Sequence, residues 1–96
     1  MQRLLFPLRI SEEVVRSRAP RPIDDDHRLY FVWSASDHYI VMTCSVELNL
    51  KRQWNIYNAI PTGDGVVIIS DGLEFRADRK AADREYNRRI EADRER

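Results

Sequence analysis

Apolar residues alternate with others through the middle of the chain. Leu29, Phe31 and Trp33 alternate with Arg28, Tyr30 and Val32. After Ser34-Ala35-Ser36-Asp37 the alternation resumes at Ile40, Met42, Cys44, Val46, Leu48 and Leu50. A period of two sustained over six apolar positions predicts a strand with one buried face. If the odd set of the first strand shares a face with the even set of the second, paired positions must sum to an odd number. A two-residue loop at Ala35-Ser36 satisfies this. It places Trp33 opposite His38, Phe31 opposite Ile40 and Leu29 opposite Met42.

Residues 51–60 admit two readings. As a strand, Trp54, Ile56 and Ile60 continue the even-numbered face. As a helix, Leu50, Trp54 and Tyr57 share one side. Trp, Asn, Ile and Tyr are mediocre helix formers, which favours the strand. Pro61-Thr62-Gly63-Asp64-Gly65 is a turn. Val66 to Ser70 reads as a buried strand, and Asp71-Gly72 as a tight turn before Leu73-Glu74-Phe75.

From about Arg76 to Arg94 the pattern becomes helical, with Ala82, Tyr86 and Ile90 at a spacing of four. Arg79 with Asp83, Glu85 with Arg89, and Arg89 with Asp93 are opposite charges at i,i+4, while Arg84 and Arg88 oppose one another. At the other end, residues 4–10 predict a short strand. Ser11 is positioned as an N-cap, with Glu12 and Glu13 in the first turn, where carboxylates suit the helix dipole. Val14 and Val15 extend a short helix that Pro20 and Pro22 stop. Ile23 to His27 reads as an exposed linker.

These elements predict an α+β fold. It consists of a three- or four-stranded antiparallel meander, a long charged C-terminal helix and a short N-terminal strand and helix packed against it. The expected organisation is a single domain over 1–96, with a basic segment at 1–22, the sheet at 28–75 and the helix at 76–96.

Composition sharpens this picture. With 96 residues, 43% hydrophobic and 33% charged, the chain can bury one modest core inside a very charged surface. The single cysteine, Cys44, excludes an internal disulfide and fits a reducing compartment. The apolar run at Leu4-Leu5-Phe6 is broken by Pro7 and Arg9, too short for a secretory segment, and no run approaches the ~20 apolar residues that span a membrane. The expected location is cytoplasmic.

The net charge is zero but unevenly spread. Residues 1–22 carry five arginines against two glutamates, residues 23–75 three basic against eight acidic groups, and residues 76–96 eight basic against six acidic. An acidic middle opposes a nucleic-acid groove in the body of the protein and suits a basic partner, such as a nucleic-acid-handling protein.

Catalytic and metal-binding chemistry finds little footing. Cys44 and His38 on one strand would stand about 20 Å apart, too far for proton transfer. The hairpin register sets His27 opposite Cys44 instead, but a thiol within an apolar row behaves as a small hydrophobe. Asp24-Asp25-Asp26-His27 and Asp37-His38 lack calcium-loop or zinc spacing and read as solvated segments. The glycine-rich turn at 61–66 lacks a phosphate-loop ending. The expectation is a non-catalytic chain with no metal and no cofactor.

Two surfaces remain for binding. If the Leu29 and Met42 side faces the core, then Tyr30, Val32, Tyr39, Val41 and Thr43 face the other way, and that face is also apolar and aromatic. An antiparallel sheet open on one side should be polar there. Either the N-terminal residues Leu4, Leu5, Phe6, Leu8 and Ile10 or the C-terminal helix covers it, or a protein partner or second copy does. The second surface is the helix, through Arg79, Arg84, Arg88 and Arg89. Arginine outnumbers lysine heavily, Lys51 and Lys80 being the only lysines, and arginine is the residue of bidentate recognition. Arg16, Arg18 and Arg21 form a short basic arm.

The reading these features favour is a protein-binding inhibitor, adaptor or regulator that occludes a partner surface. Small proteins of this kind are common among phage and mobile-element accessory genes, where they block host nucleic-acid-handling or defence complexes. The alternative is a nucleic-acid-associated regulator using the arginines of the helix and the N-terminal arm.

Overall fold

A computed structural model of the chain describes residues 8–46 and 52–95. The elements run β1 (Arg9–Ser11), α1 (Glu12–Arg16), β2 (Arg21–Pro22), β3 (His27–Ser34), β4 (Tyr39–Val46), β5 (Arg52–Pro61), β6 (Val66–Arg76) and α2 (Arg79–Arg94). The strands form one curled antiparallel sheet of six, in the order β1-β6-β5-β4-β3-β2.

This corrects the expected three- or four-stranded meander. The protein is mostly β, with one long helix and one very short one. The meander is present as β3 to β6, but the N-terminal segment supplies both edges of the sheet. Ile10 pairs with Val67 on β6, and Arg21 with Leu29 on β3. The short strand expected at 4–10 overlaps β1 at Arg9 and Ile10, whereas β2, of two residues, is too short to show a period. Leu4 to Pro7, Leu48 and Leu50, which entered the predicted strands, lie outside the described residues.

Local signals were otherwise well placed. Ser11 caps α1, its Oγ accepting from the Glu13 amide at 3.2 Å. Asp78 caps α2, accepting from the Ala81 amide at 3.0 Å. Residues 52–61 form a strand, as their composition favoured.

The predicted hairpin register is off by two in the pairing sum. A four-residue connection, closed by the Ala35 amide donating to the His38 carbonyl at 2.8 Å, replaces the two-residue loop. Trp33 therefore pairs with Ile40, Val32 with Val41 and Phe31 with Met42. Then Tyr30 is bulged out, and Leu29 pairs with Thr43. An extra residue in one strand reverses the side on which every residue before it falls. Leu29 consequently joins the face of Val41, while Tyr30 joins that of Met42.

A second irregularity lies in β6. Asn58 pairs with Ser70 but Ile56 with Leu73. Asp71 takes up the slack in the left-handed region, with φ of 53°. Asp71-Gly72 is thus a bulge inside one continuous strand rather than the predicted turn between two.

Each face of the sheet carries an apolar cluster packed from within the chain. On one, Leu29, Val41, Tyr57, Ala59 and Val67 pack with Ile10 of β1 and Val15 of α1. On the other, Met42, Cys44, Trp54 and Ile56 pack beneath Ala82 of α2, with Tyr30, Phe75 and Tyr86 at the margin. The α1 face also carries polar residues that are fully or almost fully buried: Thr43, Ser45, Gln53 and Asn55. Asn55 Nδ2 donates to Thr43 Oγ1 at 3.3 Å and Ser45 Oγ at 3.4 Å, and Asn55 Oδ1 accepts from Gln53 Nε2 at 3.3 Å. No described helix is long and apolar enough to cross a membrane.

Candidate binding surfaces on the helix side

α2 covers only part of its face. A helix is about 10 Å across, while six strands at about 4.8 Å spacing span more than twice that width. Large apolar side chains are left exposed on either flank. Phe31 is 41% exposed on the β3 side, and on the β5–β6 side Ile60, Ile68 and Leu73 are 44%, 41% and 46% exposed. Ile60 and Ile68 are direct cross-strand partners. Of the large exposed hydrophobics among the described residues, only Leu8 is not on this side.

Beside Leu73 runs a groove of about 530 Å³ between α2 and the sheet. Ile40, Asn58 and Leu73 contribute from the sheet, and Glu85, Arg88, Arg89 and Asp93 from the helix. Glu85 organises the helical wall. It accepts from Arg88 Nε and Nη2 at 2.8 and 2.7 Å, and from Arg89 Nε at 2.7 Å. Hydrogen bonds from Arg88, opposed by partial burial and reinforced by Arg89, hold its carboxyl at about 2. Arg89 continues inward, donating to Asn58 Oδ1 at 3.2 Å and to the Asp71 carbonyl at 2.6 Å. Asp93 does not pair with Arg89 as its spacing predicted; it accepts from Trp33 Nε1 at 3.5 Å.

The expected binding residues separate into different environments. Val41 is fully buried, so it presents nothing to a partner. Val32 and Tyr39 are half-buried against the α1-side cluster, and the Tyr39 hydroxyl donates to Glu12 Oε2 at 2.9 Å. Tyr30, thrown to the opposite face by its bulge, stacks edge-on to Trp54 at 4.9 Å. The two-sided apolar hairpin is therefore accounted for inside the chain. The Tyr30 and Tyr39 rings do not form one surface.

The helix arginines divide as well. Arg79 lies over Trp54 and Tyr30, 5.1 and 5.8 Å from the ring centroids, and pairs loosely with Asp83 at 3.9 Å. Arg89 is almost wholly enclosed. Arg88 and Arg84 are exposed, Arg88 being held by Glu85. Only Arg84 of the four has no side-chain partner, which is a thin basis for a phosphate-binding helix.

A second, smaller cavity of about 250 Å³ opens at the other end of α2. Pro22, Tyr30 and Cys44 form its apolar part, and Arg28, Arg52 and the Asp24–His27 turn complete its lining. Asp24 is absorbed by that turn. Its Oδ1 accepts from the Asp26 and His27 amides at 2.8 Å, and both its oxygens lie within 3.0 Å of His27 Nδ1. Partial burial works against ionisation of Asp24, but these bonds prevail and keep its carboxyl below the ordinary value. Burial pushes the Cys44 thiol up, with Arg52 and Arg79 near enough to offset part of the rise. An uncharged, enclosed thiol is a poor nucleophile. Across the β3–β4 ladder Cys44 faces Arg28, and His27 faces Ser45, so the predicted His27–Cys44 pairing does not form.

The sequence pattern gave little warning of the exposed apolar strip. Val66 to Ser70 reads as a buried run, yet only Val67 is fully enclosed. The one available signal was the thinness of the helix's own apolar stripe, which is too narrow to shield a broad sheet. Among the described residues no group of His, Cys, Asp and Glu is arranged to hold a metal ion. No protein-family model, no curated protein and no solved structure matches the chain.

Proposed function

We propose that the chain is a non-catalytic protein-binding module that acts by covering a surface of its partner, and that it docks through the α2 side of the sheet. The observation that carries this is the exposure of Leu73, which lines the groove along α2, and of the cross-strand pair Ile60 and Ile68 farther along the same face. Clustered apolar side chains bordered by charge are the composition of a docking face rather than of an ordinary solvated surface. The exposed Arg88, which lines the groove, supplies a polar rim. The acidic balance of residues 23–75 favours a partner with a basic surface. This relocates the interface from the hairpin tyrosines, which serve the core, to the flank of the helix.

The test uses tagged wild-type protein and the Ile60→Asp/Leu73→Asp variant, matched for folded state by circular dichroism. Each is incubated with nuclease-treated lysate of the source cells. A protein held near stoichiometry by the wild type and lost by the variant is the expected result. A photo-crosslinking residue at Leu73 should join that protein, while one at Ser36, on the exposed β3–β4 turn, should not. Equal capture by both forms, or capture that disappears with nuclease, overturns the reading.

A further inference from the structure

The two apolar clusters of the sheet are not equally secured. The α1-side cluster draws on β1, α1, β3, β4, β5 and β6, and takes nothing from α2. On the opposite face Met42, Trp54 and Ile56 are enclosed, yet the one buried residue of α2 is Ala82, which contributes a single methyl group. The rest of the attachment is largely polar. Arg79 lies over Trp54 and Tyr30, Arg89 donates to Asn58 Oδ1 and the Asp71 carbonyl, and Asp93 accepts from Trp33 Nε1. Polar contacts of this kind can be exchanged for contacts with water.

The joint between sheet and helix is Ala77. Its amide donates to the Arg52 carbonyl at 2.9 Å, which ties it to β5. Its φ is 52°, in the left-handed region. That conformation is costly for a residue with a β-carbon, and alanine has no polar side chain to offset the cost by a local bond. Beyond this joint, the contacts that support the helix lie within it. Asp78 caps the first turn through the Ala81 amide, and Glu85 holds Arg88 and Arg89. We propose that α2 is a hinged cover, which swings off the sheet about Ala77 while the sheet stays folded and so uncovers Met42, Trp54 and Ile56. Opening relaxes Ala77 and leaves the α1-side cluster untouched. Partial openings run along elements that bury little of their own surface, and α2 is such an element. The docking strip belongs to the sheet and is present in both forms, so the cover is independent of it.

Val41 and Met42 are neighbours on β4, both fully buried, on opposite faces of the sheet. They make a matched pair of probes. Met42→Cys and Val41→Cys are each prepared in the full chain with the native thiol removed by Cys44→Ala. Reaction with dithiobis(nitrobenzoate) is followed where reclosing outpaces labelling, so that the rate reports the open population. Urea denaturation of each variant gives its globally unfolded population. Met42→Cys should react at least about thirtyfold faster than that population allows, and Val41→Cys at the rate it sets. Ala77→Gly, which removes the strain from the closed form, should slow labelling of Met42→Cys by about threefold. Labelling of Met42→Cys through global unfolding alone overturns the proposal, as does Val41→Cys reacting as fast as Met42→Cys. An unchanged or faster rate on adding Ala77→Gly overturns it too.

Discussion

Arg89 reaches from α2 to the backbone of Asp71, its Nη2 donating to the carbonyl oxygen at 2.6 Å. The helix is thereby fastened to the bulge of β6, the point where that strand departs from regular pairing. The same guanidinium bonds Glu85 and Asn58, so one side chain joins the helix to two strands. Its side chain is only 10% exposed. Removing it leaves the partly buried Glu85 and Asn58 without this donor and unties the helix from β6. Arg89→Ala should destabilise the fold by about 2 kcal/mol. Arg88→Ala, at an exposed position on the same carboxylate, should cost less than Arg89→Ala, because solvent screens its pairing. Urea denaturation of the two variants makes the comparison.

Glu85 makes the stability of this corner depend on acid. Its folded-state value of about 2 lies below the ordinary 4.5, so the unfolded chain takes up a proton first as pH falls. The contribution of the ionised carboxylate is complete above about pH 4.5 and is lost progressively towards pH 2. Wild type should therefore exceed Glu85→Gln in stability at neutral pH, and the difference should shrink across that window. Chemical denaturation at a series of pH values reads it directly. A gap that stays constant down to pH 2 would contradict the assignment.

The bulge at Tyr30 gives Leu29 and Phe31 opposite fates although they are two residues apart. Leu29 is fully buried on the α1 side, and Phe31 is 41% exposed near Tyr86 on the other. Leu29→Ala should cost about 3 kcal/mol. Phe31→Ala should cost less, because about two fifths of its area stays in water. Strict alternation would make the two losses similar, so thermal melts of the pair distinguish the arrangements.

In the buried polar group, Asn55 is the hub and Gln53 the outlier. Gln53 Oε1 is buried without a hydrogen-bond partner. Asn55→Ala strips the donor from both Thr43 and Ser45 and should cost about 2 kcal/mol. Gln53→Leu removes one 3.3 Å bond together with an unsatisfied acceptor, and should change stability by less than about 1 kcal/mol. Guanidinium titrations of the two variants should order them in this way.

What could be read beforehand was whatever repeats or caps locally. Ser11 announced α1, the spacing of Ala82, Tyr86 and Ile90 announced α2, and the alternation of β3 and β4 announced the hairpin. Position in three dimensions was less legible where one residue breaks a period. Nothing in Leu29-Tyr30-Phe31 marks Tyr30 as supernumerary, yet it decides which side Leu29 occupies. Asp71-Gly72 has the composition of a turn and is used as a bulge, because local preference for a left-handed residue serves either. The candidate docking strip was hidden for a different reason. Ile60, Ile68 and Leu73 look like core residues, and only the placement and width of α2 leave them in solvent. The charges of the smaller cavity come from β3, β5 and the turn between β2 and β3, a convergence that no spacing along the chain encodes.

The pairing of β1 with β6 bears on how the protein emerges from a ribosome. β2 to β5 can hydrogen-bond to sequence neighbours as soon as they are made. Ile10 must wait for Val67, and until then the α1-side cluster lacks one of its walls. Contacts so distant along the chain are costly in loop closure and slow to form. Until β6 is made the growing sheet has an open edge at β5, and β1, made before the other described strands, is among the last to pair.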